Sequence, residues 1–232
     1  MENFQIEVDG ISIEICRKPI KNMHLRIYPP DGLVRVSAPL KLSLNLIYKQ
    51  IEAKQEWLHA QRARLQALPR ITELLFHPGE QHYFLGNAYT LTLIEDQTIG
   101  KVTLEDNLLC LNTPPNSTLH QKELALKKWY QHQMHLIVHD LIKKWQPIIN
   151  VEVATWGTKT MKTRWGSCNT RTHRIWLNLL LIKKPLACLE YVLVHEMVHL
   201  LEASHNKRFH QFMDQFMPNW RIHKKTLNLL KN

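Results

Sequence analysis

Two stretches at the start of the chain alternate between apolar and polar residues, which is the pattern of strands with one buried face. The first, QIEVDGISIEI, contains Asp9-Gly10, a dipeptide that favours a tight β-hairpin turn. The second, HLRIYPPDGLVRVSAP, contains Pro30, Asp31 and Gly32, which favour a turn near its middle. We therefore predict two antiparallel hairpins in this part of the chain.

Helical and strand-like patterns then alternate up to a Pro-rich segment. Apolar residues recur at helical spacing from about Leu42 to Leu68, and Pro69 is expected to end this helix. Strand alternation returns between Tyr83 and Leu111, with Gly100 at a turn. The pattern indicates a β-rich region with one long helix.

The segment TPPNS, residues 113–117, is the clearest linker candidate and divides the chain into predicted domains 1–117 and 118–232. In the second domain we expect two or three short strands between residues 151 and 181. Helices are predicted over 119–145, with Pro147 closing it, from Pro185 to about Leu201, and from Lys207 to Phe216. The predicted fold class is α+β, an antiparallel β-rich part followed by a domain with a small sheet and helices. We find no internal sequence repeat.

The segment YVLVHEMVHL holds the most specific chemical pattern, H-E-x-x-H, at His195, Glu196 and His199. On a helix, residues four apart point the same way, so both imidazoles can reach one metal ion. Glu196 leaves the helix about 100° away from His195, where its carboxylate can take a proton from a water that the metal activates. The flanking residues are strongly apolar, so these polar groups should be buried and need a shared partner. The pattern predicts a zinc-dependent peptidase.

A catalytic zinc site needs a third protein ligand and one open position. His205 follows His199 by six residues, which is the spacing of the metzincin pattern H-E-x-x-H-x-x-G-x-x-H. Glu202 replaces the metzincin glycine, so the chain would have to turn back at Ala203-Ser204 and Asn206, and Asn tolerates left-handed backbone geometry. Glu202 and His210 are the competing candidates for the third ligand.

A second pair of histidines, His135 and His139, is also four residues apart, inside HLIVHD. No glutamate follows the first of them, and the apolar stripe of the predicted helix lies elsewhere. We therefore expect both to be solvated on a polar helix face rather than to bind a metal.

The stretch MKTRWGSCNTRTHRIWLNLLLI is the other informative region. Gly166-Ser167 predicts a tight turn between two strands, the second running from Arg174 to Leu180. Cys168 could act as a nucleophile in principle, but a metal site already accounts for the chemistry of the chain. A site with this thiolate as fourth ligand would be closed and structural, so we expect Cys168 not to touch the metal.

The composition limits the possible partners. The formal net charge of +10 permits binding to nucleic acid, but the basic residues are scattered, so a basic surface is the simpler interpretation. The longest apolar stretches are too short for a membrane span, and the N-terminus lacks a signal-peptide pattern. We therefore predict a cytoplasmic protein without a membrane partner, whose four cysteines are free thiols.

Four segments together resemble the YgjP-like metallopeptidase family in order and spacing, and this resemblance covers essentially the whole chain. These segments are MKTRWGSC (161–168), RIWLN (174–178), LEYVLVHEMVHLLEASHNKRFH (189–210) and MPNW (217–220). The resemblance implies a zincin-like catalytic domain, one zinc ion held by His195, His199 and His205, Glu196 as the catalytic residue, and a peptide or protein substrate.

The resemblance also gives a role to the segment from Arg164 to Cys168, which occurs together with the zinc motif in that family. It implies that the segment packs near the active-site helix, with Gly166 permitting close backbone approach. Trp165 and Arg164 would then form part of the substrate cleft, the alternative being a buried hairpin without substrate contact. A substrate strand could pair with an edge strand near Trp165 or Ile175.

The zinc motif alone is similar to that of SprT/Spartan-like proteases, which act on proteins crosslinked to DNA. This weaker similarity defines the alternative function, a nucleic-acid-associated module with local protease activity.

Overall fold

The structure is a computed structural model that describes residues 3–28, 32–66, 75–96 and 100–229. The chain divides into two units, residues 1–73 and residues 74–231, each with its own apolar core. The described residues form six α-helices and eleven strands in three sheets. The predicted α+β class is therefore confirmed.

The predicted domain boundary after residue 117 lies inside the second unit. Leu109 and Leu111, which precede that point, share one apolar cluster with Met134 and Val138, which follow it. Burial of both sides in one core joins them into one unit, although the Pro-rich segment between them has the composition of a linker.

Four strands form the sheet of the first unit: β1 (Asn3–Val8), β2 (Ile11–Lys18), β3 (His24–Tyr28) and β4 (Leu33–Pro39). β1 and β2 form the predicted hairpin, in which Asp9 and Gly10 both have positive φ, 51° and 69°. β3 and β4 are also antiparallel, but β2 and β4 pair in parallel, so the order is β1-β2-β4-β3. The sheet is thus mixed rather than purely antiparallel. Pro30 and Asp31 lie outside the described residues.

Two helices, α1 (Leu44–Glu52) and α2 (Gln55–Gln66), follow this sheet instead of the single predicted one. They contribute Ile47, Ile51 and Leu58 to its apolar cluster. The break lies at Lys54, whose amide donates to the Ile51 carbonyl three residues back instead of four. No Gly or Pro marks this break, so the sequence pattern did not reveal it. Pro69, the predicted helix end, lies outside the described residues.

The first sheet of the second unit repeats this topology with a different sequence. Its strands are β5 (Gln81–Phe84), β6 (Asn87–Glu95), β7 (Val102–Glu105) and β8 (Leu108–Thr113). The order is β5-β6-β8-β7, again with two antiparallel pairs joined by a parallel pair of β6 and β8. The structure therefore contains a repeated arrangement that no sequence repeat signals.

Helix α3 (Leu119–Ile149) begins with a capping box between Thr118 and Gln121. The helix continues past its predicted end at residue 145. Pro147 does not stop it, because this proline lies in the last turn, where its missing N–H removes only one helix hydrogen bond. Asn150 ends the helix in the left-handed conformation, with φ of 58°.

The third sheet consists of β9 (Thr155–Lys159), β10 (Gly166–Asn169) and β11 (Arg174–Asn178), in the order β10-β11-β9. β10 and β11 are antiparallel, and β11 and β9 are parallel. The predicted turn at Gly166-Ser167 is wrong, because these residues begin β10. The turn comprises residues 170–173 instead, where Asn169 Oδ1 accepts hydrogen bonds from two turn amides and His173 has φ of 47°.

The chain then continues with a 3-10 helix (Leu179–Lys183), α4 (Leu186–Val198), α5 (Lys207–Phe216) and α6 (Trp220–Leu229). α5 has its predicted bounds, α4 ends three residues before its predicted end, and α6 was not predicted. None of the helices in the described ranges is long and apolar enough to span a bilayer.

Candidate metal centre

Helix α4 carries the first two histidines through the core of the second unit. Its side chains are apolar on nearly every face, and a helix of that kind is buried on all sides. Glu196 is consequently only 5 % exposed, and the Nδ1 atom of His195 is buried. The helix ends at Val198, and His199 is its C-cap residue.

Three histidines meet at the end of this helix. Ligand nitrogens of His195, His199 and His205 all lie within 4.8 Å of one another, and the Nε2 atoms of His195 and His205 are 2.9 Å apart. Among the described residues, this is the group of His, Cys, Asp and Glu side chains that could hold a metal ion. The structure thus brings together the three predicted histidines.

Glu202 and His210, the competing candidates for the third ligand, lie outside this group. The Glu202 carboxylate accepts hydrogen bonds from the amide and hydroxyl of Ser204. The ring of His210 stacks on Trp220 at a centroid distance of 5.7 Å. Both side chains therefore have other partners.

The chain returns to the helix end through bends at Ala203, Ser204 and Asn206, the residues predicted for this turn. Leu200 and Leu201 donate to the carbonyls of Met197 and Val198, three residues back, which tightens the end of the helix. Asn206 has φ of −82° and is the N-cap of α5, where its side chain accepts from an amide of the first turn. The predicted left-handed Asn206 is therefore wrong. Asn206 instead ends the turn as the N-cap residue of α5.

The three imidazoles are uncharged at neutral pH. Burial is the main cause that lowers the pKa of His195, to about 3, and repulsion from the other histidines adds to it. Burial also lowers the pKa of His199 and His205. The Nδ1 of His199 lies 3.1 Å from the Glu202 carbonyl oxygen, which can only accept, so this nitrogen carries the proton and Nε2 keeps its lone pair. Uncharged rings with free lone pairs are the state that binds a metal.

Glu196 lies against the strand β10. A Cβ atom added to Gly166 of β10 would lie 2.5 Å from Glu196 Oε1, so any larger residue there would displace the Glu196 side chain. The predicted close approach at Gly166 thus exists, although the residue is in a strand. Burial raises the pKa of Glu196 to about 8, and the charge of Arg164 opposes this effect.

A cavity of about 550 Å³ opens beside the three histidines and Glu196. Arg164 and Trp165, the predicted cleft residues, both line it. The backbone carbonyls of Arg164 and Trp165 accept hydrogen bonds from the side-chain and main-chain nitrogens of Asn178, which is 2 % exposed. A buried asparagine therefore holds the segment that forms this wall.

Cys168 lines the same cavity but does not belong to the histidine group. Burial raises the pKa of its thiol to about 11, and the nearby Glu196 carboxylate adds to this effect. The thiol is therefore protonated at neutral pH, which disfavours both metal binding and nucleophilic attack.

The sequence did not reveal three further residues around the centre: Phe209, Tyr191 and Lys224. The ring centre of Phe209, which is 1 % exposed, lies between 4.7 and 4.9 Å from the ring centre of each of the three histidines. Tyr191, one turn before His195, and Lys224 of α6 line the cavity. The spacing of Tyr191 to His195 could have indicated its position, whereas Phe209 and Lys224 carry no comparable signal.

The second histidine pair lies on the surface of α3. His135 and His139 are both exposed, with parallel rings 6.4 Å apart, and His135 also stacks on Trp156 at 5.2 Å. Neither belongs to the metal-capable group of the described residues. Their exposure agrees with the prediction of a polar helix face.

Comparison with known proteins gives one match. A family model described as YgjP-like, metallopeptidase domain, matches residues 21–229, a range that includes every residue of the centre described above. Searches of curated proteins and of solved structures gave no match.

Proposed function

Because this chain belongs to the YgjP-like metallopeptidase domain family, we propose that it is a zinc-dependent enzyme that hydrolyses peptide bonds at the three-histidine centre. His195, His199 and His205 would hold the ion, and Glu196 would act as general base. The observation that carries the proposal is the convergence of three uncharged imidazoles within 4.8 Å of one another, beside a buried carboxylate.

Zinc suits this donor set better than a hard cation would. Neutral imidazole nitrogens are common ligands of zinc, whereas magnesium and calcium prefer oxygen ligands. The hydrogen bond from His199 to the Glu202 carbonyl is the kind of outer contact that orients a ligating ring. A bound zinc ion would supply Lewis acidity, lowering the pKa of water and polarising the substrate carbonyl.

Glu196 would move the proton during hydrolysis. Its carboxylate oxygen takes a proton from the attacking water and then gives it to the leaving amide nitrogen. The charge of a bound ion would counter the effect of burial on the pKa of Glu196, so its carboxylate could accept this proton near neutral pH. The missing side chain of Gly166 leaves the space that the carboxylate occupies beside β10.

An extended peptide would bind along the free edge of β10. β10 is the outer strand of its sheet, whereas Ile175 lies in β11, the central strand, which has no free edge. The amide of Asn178 donates to the Trp165 carbonyl, so the alternation of an antiparallel pair directs the backbone groups of Gly166 to the free side. A peptide paired there would pass beside Glu196.

We retain residues 118–232 as the proposed catalytic domain, since each proposed ligand, the base and the cleft residues follow this boundary. The proposed location is the cytoplasm. All four cysteines, Cys16, Cys110, Cys168 and Cys188, are unpaired, which supports a reducing compartment.

A second candidate function is association with nucleic acid, with the peptidase acting on bound or crosslinked proteins. One observation favours it: the cations of Lys159 and Arg174 lie 4.9 and 5.8 Å from the ring centre of Trp176 on the third sheet. Cations grouped around an aromatic side chain are typical of surfaces that bind single-stranded nucleic acid. Binding of a labelled single-stranded oligonucleotide that weakens steeply with salt and in Lys159→Glu would support this function; equal binding by the variant would contradict it.

The peptidase proposal is tested with Glu196→Gln in the zinc-loaded protein, using casein and a mixed peptide library as substrates. The variant should keep its metal, measured by elemental analysis, and its fold. Its activity should fall by about a hundredfold or more, since an amide cannot accept the proton of the attacking water.

Glu202→Gln is the matched control, because Glu202 is a half-buried glutamate near the same histidines that lies outside the metal-capable group. It should retain both metal and activity. Undiminished hydrolysis by Glu196→Gln would exclude Glu196 as the base, and loss of metal from Glu202→Gln would mean that Glu202 is a ligand.

A further inference from the structure

The exposed part of the cavity lining carries two positive charges and no negative one. Among the described residues that line it, Glu196 is the one acidic side chain, and Arg164 and Lys224 are both cationic. Glu196 is buried, whereas both cations are exposed. A substrate entering the cavity therefore meets positive side chains before it meets a negative one.

Lys224 lies on α6, a helix without an acidic residue. Its ammonium group lies 5.3 Å from the ring centre of Trp220, and it forms no ion pair with a described acid. Asp214, an acidic residue of the preceding helix, already pairs with Arg221.

Arg164 approaches from the segment that precedes β10. The hydrogen bond from Asn178 to its carbonyl fixes the backbone, while the guanidinium is exposed at the cavity and forms no ion pair with a described acid. Arg164 and Lys224 therefore act on the same space from two different elements.

We propose, as an extension of the peptidase function above, that Arg164 and Lys224 select peptides with a carboxylate next to the scissile bond. A cleft lined by one sign of charge raises the local concentration of ligands of the opposite sign. A basic side chain in the same position is disfavoured, because it meets like charge in the cavity. The carboxylate is either an acidic side chain or the C-terminus of the substrate.

The test uses internally quenched peptides that differ only in the residue beside the cleaved bond, which is Glu, Gln or Lys. Each peptide is made with a free and with an amidated C-terminus. For the zinc-loaded protein, kcat/KM should be about tenfold or more higher for Glu than for Gln, and lowest for Lys. A preference for the free C-terminus instead of the Glu side chain would identify the terminal carboxylate as the group that is recognised.

Lys224→Met and Arg164→Met should each bring the Glu-to-Gln ratio of kcat/KM closer to one. Lys225→Met and Lys162→Met are the matched controls, since these lysines neighbour the two cations and do not line the cavity. Added salt should reduce the ratio in the wild type, because exposed charges are screened. Equal kcat/KM for Glu, Gln and Lys peptides with both types of C-terminus overturns the proposal.

A binding measurement separates this proposal from the peptidase function. If the wild type cleaves no peptide, the peptidase function is wrong, and binding of the same peptides to zinc-loaded Glu196→Gln is measured by fluorescence anisotropy. Tighter binding of the Glu peptide, lost in Glu196→Gln combined with Lys224→Met, supports selection by the cations. Equal binding of Glu and Gln peptides overturns it.

Discussion

The two histidine pairs of this chain have the same spacing and opposite surroundings. His195 and His199 lie at the end of a helix that is buried on nearly every face, and His205 joins them from the next turn of the chain. His135 and His139 are exposed on α3, where their rings stack in parallel. Spacing on a helix therefore brings two imidazoles together in both places, but only one place adds a third ligand.

Burial is what makes the first pair chemically different. It lowers the pKa of His195 to about 3 and raises that of Glu196 to about 8, so burial favours the uncharged form of each group. Neutral ligands beside a buried carboxyl group need a polar partner, and a metal ion provides one. On the surface of α3, water solvates the polar groups and no such need arises.

The largest difference between the two pairs should come from removing one histidine of each. His199→Ala should weaken zinc binding by more than about a hundredfold and abolish hydrolysis, because two histidines do not complete the site. His139→Ala should leave both unchanged. Zinc affinity is measured by competition with a chromophoric chelator, and loss of zinc affinity in His139→Ala would mean that the exposed pair is also a metal site.

A smaller effect is expected from adding one methyl group near each histidine pair, by Gly166→Ala beside α4 and by Gly157→Ala in β9. In Gly166→Ala the new Cβ lies within 2.5 Å of Glu196 Oε1 and 2.8 Å of its Cγ, so the carboxylate must move. A displacement of that size should lower kcat/KM by about tenfold to a hundredfold while metal content stays the same.

Gly157→Ala is the control for this substitution, since Gly157 is in β9, next to the Trp156 that stacks on His135. Its new Cβ would lie 2.7 Å from the Trp176 ring, which costs about 1–3 kcal/mol of stability by overpacking. Hydrolysis should be unaffected. If Gly166→Ala and Gly157→Ala lose activity only in proportion to their thermal stability, β10 does not position the base.

The smallest effect concerns stability against pH in the metal-free protein. The pKa of Glu196 is about 8 when folded and has an ordinary value of 4.5, so between these values the folded state binds more protons than the unfolded state. Stability therefore falls as pH rises through this window, by on the order of a few kcal/mol from this group. Glu196→Gln has no group that loses this proton, so its free energy of unfolding should not show this decrease. The difference in unfolding free energy between the variant and the wild type, measured in urea, should therefore grow from about pH 5 to about pH 9.

Glu202→Gln again serves as the comparison, because hydrogen bonds from Ser204 lower the pKa of this carboxyl group. It should show no gain in stability that increases with pH. A constant difference between Glu196→Gln and the wild type across the range would mean that Glu196 is not desolvated in solution.

Local patterns predicted much of the fold. The hairpin at Asp9-Gly10 and the bounds of α5 follow from alternation, turn residues and helix signals within a few positions. The parallel pairing of β2 with β4 does not, since it depends on which edges meet after the hairpins have formed. Gly166 shows the same limit: a glycine signals a special backbone environment, but a turn and a close approach to Glu196 have the same signature in sequence.

The sequence by itself determined the chemistry of the candidate site, because H-E-x-x-H on an apolar helix encodes spacing, side-chain type and burial within a few residues. Only the tertiary structure decided what surrounds that helix. It joined His205 to the pair, put the Phe209 ring against the three histidines and packed Gly166 of β10 against Glu196. It also brought Arg164 and Lys224, 60 positions apart, to one cavity. Gly166 and Arg164 are distant along the chain from α4 and α6, and His205 and Phe209 reach the pair only through the turn after α4, so these contacts depend on packing in the core and not on local periodicity.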